Sequence, residues 1–150
     1  MLFGDDGFGP AVAEYLNQHY AIADDVYVMD VGTGVRRILF TLALSESLPD
    51  EIVVVDSVDW GHNRGEVLEL SLDDLPVNKI DDFSLHQVPT SNMLRELRDR
   101  RHVKVAVYAC DVGKTLQLIQ PGLSSGVEQA VLAAGRRIAD RFALRRSDRD

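Results

Sequence analysis

The sequence predicts an α/β protein: a three-layer α/β/α sandwich around a doubly wound, mostly parallel sheet with one antiparallel edge strand. Three observations predict it. Apolar runs of strand length alternate with segments of helical spacing. Ile52-Val53-Val54-Val55 is a continuous β-branched run, as a strand buried on both faces requires. Polar residues with chemical potential, Asp5-Asp6, Asp56 and His86, fall at the junctions between these segments, where such sheets bind ligands.

The elements follow in order. Pro10 suits a first helical turn, and Val12, Tyr15, Leu16 and His19 continue at helical spacing, so a helix is expected over 10–20. Residues 25–30, Asp-Val-Tyr-Val-Met-Asp, read as a short strand before the tight loop Gly32-Thr33-Gly34. A helix over 35–44 ends ahead of Pro49, and the strand at 52–55 runs directly into Asp56. Val67-Leu68-Glu69-Leu70 alternates as an edge strand should. Pro89 opens a helix reaching Leu97, and residues 103–109 form the last strand. Val127, Val131, Ala134, Ile138 and Phe142 mark one face of a final helix. One domain is expected over 1–146, with 147–150 a polar tail. The acidic loop at Asp5-Asp6 stands where a first strand should have ended, so that strand is expected to be missing or truncated.

Composition narrows the function classes. Sixteen Lys and Arg against 24 Asp and Glu give a net charge of −8, which disfavours a nucleic-acid surface. The arginines at 98–101 and 136–146 read as solvated faces. No apolar run approaches the roughly 18 residues that span a bilayer, and the N-terminus lacks the pattern of a signal peptide. Cys110 is the single cysteine, so no internal disulfide can form, and a cytoplasmic setting is expected. Cys110 itself reads as a small core residue.

Two carboxylates and an imidazole suit a borderline divalent cation such as nickel or zinc. Each residue also has a plain role. Asp5 or Asp6 can cap the first helix, Asp56 can cap the loop after its strand, and His86 can be an ordinary turn residue. By spacing alone the metal site and these plain roles both stand. Two motif matches fail. Gly32-Thr33-Gly34 lacks the third glycine of a dinucleotide loop, since Arg37 holds that position, and Gly113-Lys114-Thr115 lacks the leading glycine of a phosphate loop, where Tyr108 stands. His19, His62 and His102 read as surface or loop positions. His62 is a weaker candidate for a substrate rim, and Trp60 either packs on a sheet edge or makes an exposed contact.

At these residues the sequence resembles the nickel–iron hydrogenase maturation endopeptidases over nearly its whole length. Asp5-Asp6-Gly7-Phe8-Gly9-Pro10 is similar to the family's acidic loop opening the first helix, and Asp30-Val31-Gly32-Thr33-Gly34 to its Asp-Gly-Gly-Thr loop. Residues 52–56 resemble the strand carrying the second acidic ligand, and Ser84-Leu85-His86-Gln87 the segment carrying the histidine. Pro121-Gly122-Leu123-Ser124 resembles the turn before the last helix. The string His86-Gln87-Val88-Pro89-Thr90-Ser91-Asn92 is similar to the branch serving deazaflavin-coenzyme-reducing hydrogenases of methanogenic archaea. Val31 replaces a usual glycine, and Arg64-Gly65 stands where Pro-Gly is common.

The resemblance implies a metal-dependent endopeptidase that removes a C-terminal extension from a hydrogenase large-subunit precursor after nickel insertion. Asp6, Asp56 and His86 would recognise nickel carried by that substrate, with zinc or cadmium able to take its place in isolation. Asp5 or Asp30 would be the proton acceptor, although Asp30 also suits the capping of the Gly32 turn. Two other classes fit part of the pattern. A receiver-type phosphoacceptor domain shares the acidic pair and the strand-end aspartate, but its lysine should end the last strand, and Lys104 begins it. A non-catalytic nickel-binding chaperone needs the ligands without a base.

Overall fold

The computed structural model describes residues 7–31, 35–58, 65–74, 88–111 and 125–147. Helix α1 (Phe8–His19) runs into a two-residue strand β1 (Tyr20–Ala21). Helix α2 (Val35–Leu44) leads to β2 (Glu51–Val58), then β3 (Val67–Leu70) and a single 3₁₀ turn (Leu72–Asp74). Helix α3 (Val88–Arg101), strand β4 (Lys104–Asp111), helix α4 (Ser125–Arg141) and strand β5 (Arg145–Arg146) complete the order.

The main sheet has the order β2-β4-β3. Strand β4 is parallel to β2, with Glu51 opposite Lys104 and Val58 opposite Asp111. It is antiparallel to β3, with Val67 opposite Cys110 and Leu70 opposite Val107. The parallel pair and the antiparallel edge strand stand as expected, but β2 is only partly buried and, among the described residues, lies at the edge of the sheet; β4 is the strand buried on both faces. Alternation of side chains divides the apolar residues between two cores. Val53, Val55, Tyr108 and Cys110 pack with Phe8, Val12 and Leu16 of α1 and Val127, Ala134 and Ile138 of α4. Ile52, Val54, Val107 and Ala109 pack on the other face with Leu39 of α2 and Leu94 and Leu97 of α3. Two helices on each face make the three layers. The long helices α1 and α4 touch closely, since a Cβ on Gly135 would fall 2.3 Å from the Tyr15 ring.

One expected strand is absent. Residues 25–30 pair with none of the strands of either sheet, and Tyr27 and Met29 are exposed there. The stretch has the composition of a strand, but β propensity is realised only against a paired neighbour. Val26 instead donates its N–H to Ala23 O at 3.0 Å, closing a turn. Among the described residues β4 is the only neighbour of β2, which leaves its other edge without a strand. The pairing of β1 with β5, Tyr20 opposite Arg146, was not legible in either short segment. It ties the end of α1 to the chain following α4, and Ser147 N–H continues the tie to His19 O at 2.9 Å.

Not every arginine of the last helix is merely solvated. Arg141 donates to Glu51 of β2, to Glu69 of β3 and to the Tyr108 hydroxyl of β4. The Tyr108 hydrogen bond comes first among the interactions that raise its pKa above the ordinary arginine range, with the carboxylates of Glu51 and Glu69 behind it and partial burial opposing. Arg137 reinforces the cluster from 5.3 Å over the Tyr108 ring. One side chain thus ties all three strands of the sheet to α4. Arg141→Met, which keeps the apolar stem, should lower unfolding stability by about 1–2 kcal/mol. Urea titration checks this; an unchanged midpoint would show that the arginine only decorates the surface.

Candidate active site at the carboxyl ends of the strands

Three helix starts converge at one end of the sheet, and each does so for a local reason. The N-terminus of α1 lies on β2: a Cβ at Gly9 would fall 2.7 Å from the Val55 carbonyl oxygen, which immediately precedes Asp56. Only a residue without a Cβ permits that approach. The N-terminus of α4 meets Gly65, which has φ +91° and whose added Cβ would fall 2.8 Å from Gly126 O. Gly65 N–H also donates to Asp111 O at 2.7 Å, and Asp111 N–H to Glu66 O at 2.9 Å. At the far end of the sheet, Val103 N–H donates to Leu97 O at 3.1 Å and binds the last turn of α3 to the start of β4. Helix α3 therefore runs back along the sheet, and its first turn rises towards the carboxyl ends. This is the crevice position at which doubly wound sheets bind ligands.

Asp56 stands at that end, half-buried. Strand β2 continues two residues beyond it, so Asp56 is not the strand's last residue. Its Oδ1 accepts the N–H of Ser57 at 2.8 Å. That contact lies within the strand, so Asp56 does not make the cap of the following loop that the sequence suggests. By alternation with Ile52 and Val54, its side chain belongs to the α2–α3 face. Asp5, Asp6 and His86 lie outside the described residues, as do Trp60, His62 and Gly32-Thr33-Gly34. Asp6 adjoins Gly7, the residue preceding α1, and His86 is two residues ahead of Val88, the first of α3. Asp30 is exposed, in the stretch that forms no strand. Among the described residues alone no three metal-ligating side chains come together.

Other candidates resolve plainly. Cys110 is fully buried in the α1–α4 core, as a small core residue should be. His19 and His102 are exposed, and His19 stacks on Tyr15 with ring centroids 4.7 Å apart. Lys104 lies opposite Glu51 at the start of the parallel pair, the end of the sheet away from Asp56. A phosphoacceptor's lysine could not work from there. One residue was missed: Asp111 is fully buried at the very end of β4. The signal was available, because Asp111 closes the run at 103–110 as Asp56 closes 52–55.

Comparison with known proteins decides the family. The family model for hydrogenase maturation protease matches residues 10–141. The Methanocaldococcus jannaschii protein MJ0253, named as a hydrogenase maturation protease, is 37% identical over 133 residues, covering 87% of this chain and 83% of its own. The chain belongs to the hydrogenase maturation protease family. Within it, the chain is 28% identical over 148 residues to the coenzyme F420 hydrogenase subunit delta of Methanothermobacter thermautotrophicus, spanning 96% of this chain and 90% of that one. The likeness to the deazaflavin-linked branch is met there. The fold of the hydrogenase maturating endopeptidase HybD from Escherichia coli superposes with a TM-score of 0.75 at 20% identity, over 99% of this chain and 91% of that chain. The chain is thus of a protease family, and its three-layer architecture is the one its relatives share.

The site depends on α1 resting directly on β2. Gly9→Ala should cost about 1–3 kcal/mol by overpacking, despite the gain of about 1 kcal/mol in helix propensity. Equilibrium unfolding measures the balance. A neutral or stabilising outcome would mean that α1 does not sit on the Val55 carbonyl.

Proposed function

We propose that the protein is an endopeptidase that trims a C-terminal extension from a nickel–iron hydrogenase large-subunit precursor once nickel is in place. The observation that carries the reading is Asp56, half-buried at the crevice end of a sheet whose chain belongs to the hydrogenase maturation proteases. Asp6 and His86 complete the proposed recognition set. One adjoins Gly7 ahead of the helix that rests on Val55, and the other is two residues ahead of α3. Consecutive Cα atoms are about 3.8 Å apart, so neither residue needs more than a few ångströms of chain to reach the crevice.

Two carboxylates and an imidazole suit nickel in charge and in ligand type, and leave coordination positions for the precursor's own ligands and for water. The nickel is substrate: it arrives with the precursor, and zinc or cadmium would occupy the same donors in its absence. Reading it makes cleavage conditional on metallation. Hydrolysis adds hydroxide from water to the scissile acyl carbon and a proton to the departing amine, giving a new carboxylate terminus and a free peptide. A dication near the scissile carbonyl polarises it and makes a bound water more acidic. Asp5 or Asp30 is the proposed acceptor of the water's proton. The setting proposed is the cytoplasm, in keeping with a single cysteine and no internal disulfide; no helix among the described residues is long and apolar enough to cross a membrane.

Asp6→Ala, Asp56→Ala and His86→Ala should each abolish trimming while leaving the thermal melt close to that of the parent. The mass of the large subunit after incubation with nickel-loaded precursor reads this directly. Normal trimming by His86→Ala would refute the three-ligand set, and nickel binding without cleavage by the parent protein would make it a chaperone instead.

A further inference from the structure

Asp111 is an acid at the very end of β4, a strand whose other buried residues are apolar or aromatic. It is fully buried, and removing a carboxylate from water is costly unless it is partnered. It is partnered: among the described residues no buried side-chain nitrogen or oxygen lacks a hydrogen bond. Its backbone is committed as well, to Gly65 and Glu66 on the lead-in to β3. The residue is therefore held on both sides at the point where β4, β3 and the start of α4 meet.

Its direction follows from the two cores. Val107 and Ala109 face α2 and α3, whereas Tyr108 and Cys110 face α1 and α4, so Asp111 points to the α2–α3 face. Asp56 points to the same face from the neighbouring parallel strand. The register sets Asp56 opposite Ala109 and Val58 opposite Asp111, one pleat further along. Strand spacing and rise per residue put the two Cα atoms about 8 Å apart. Two carboxylates thus share one face at the mouth of the sheet, one half-buried and one beneath the surface.

We infer that Asp111 is a positioning residue of the proposed site: its buried carboxylate lies beside Asp56 on the neighbouring strand, one pleat nearer the carboxyl end, and adds negative charge that draws the precursor's nickel into the crevice. The inference rests on the reading of the crevice as a nickel reader. A charge held in a poorly solvated position acts over this distance far more strongly than one in water. It acts on nickel before any bond is broken, so it contributes to binding and not to the chemical step, and its loss raises KM while leaving kcat alone.

The test pairs metal binding with kinetics. Asp111→Asn and Asp111→Thr remove the charge, and Asp111→Glu keeps it. Ni²⁺ is titrated calorimetrically into each protein, KM and kcat are measured on nickel-loaded precursor, and the thermal melt is recorded alongside. The neutral variants should bind Ni²⁺ roughly tenfold or more weakly and show KM raised to match, with kcat within about twofold; Asp111→Glu should recover most of the affinity. Unchanged nickel affinity and KM would overturn the inference, as would a fall in kcat that tracks a lowered melt, or unfolding of both neutral variants. A parent protein that takes up no Ni²⁺ overturns it too. A parent that binds nickel but trims nothing, with affinity still lost in Asp111→Asn, would refute the endopeptidase and leave the role of Asp111 standing.

Discussion

Strand β4 is the member on which everything else is hung. It is paired along both edges, parallel to β2 and antiparallel to β3, and it is buried on both faces between α1–α4 and α2–α3. A strand in that position has no solvent-facing side, so its sequence reads as an unbroken apolar run, and its register is fixed by both neighbours. The two ends of the sheet are then unlike. At the amino end, Arg141 clasps Glu51, Glu69 and Tyr108 and locks helix to sheet. The carboxyl end is where helices begin, and glycines bring their backbones close to the strands.

That asymmetry separates the brace from the proposed site. The charged network joins residues that cannot reach the crevice, and its ions are partly exposed, so it acts as a brace of modest strength. The carboxylates at the other end contribute differently. Asp56 accepts the Ser57 N–H within its strand and is half-buried, and Asp111 is wholly buried. Carboxylates held in this way are poor packing material, and oxygen ligands of this kind suit the cation proposed for the crevice. Their position on one face of adjacent strands is a consequence of register, since two strands whose apolar runs both end in Asp come to lie side by side.

Much of this was legible in the sequence, for identifiable reasons. Helix α2 and edge strand β3 have the expected bounds because each carries a clean period and sits between breakers. The β-branched run at 52–55 marked a strand, whose pairing extends to Val58, but burial on both faces falls to β4, and β2 is only partly buried. Residues 25–30 have a strand's composition and form none, because composition reports what a strand is made of and pairing is a property of the neighbour. The short ladder between β1 and β5 was invisible for the converse reason: two residues carry no period, and only the tertiary proximity of α1 and α4 brings them together. At the site, Asp56 was recognisable from its place after an apolar run. Asp111 closes the apolar run at 103–110 by the same rule, but it belongs to none of the motifs that resemble the family.

The central claim is that this crevice reads a metal already carried by its substrate. The most direct measurement compares one precursor in two states, nickel-loaded and nickel-free, incubated with the purified protein and followed by the mass of the large subunit. The account predicts loss of the C-terminal extension from the loaded precursor alone, with the nickel-free form left at full mass. Equal trimming of both forms would contradict it, because Asp6, Asp56 and His86 would then have nothing to read.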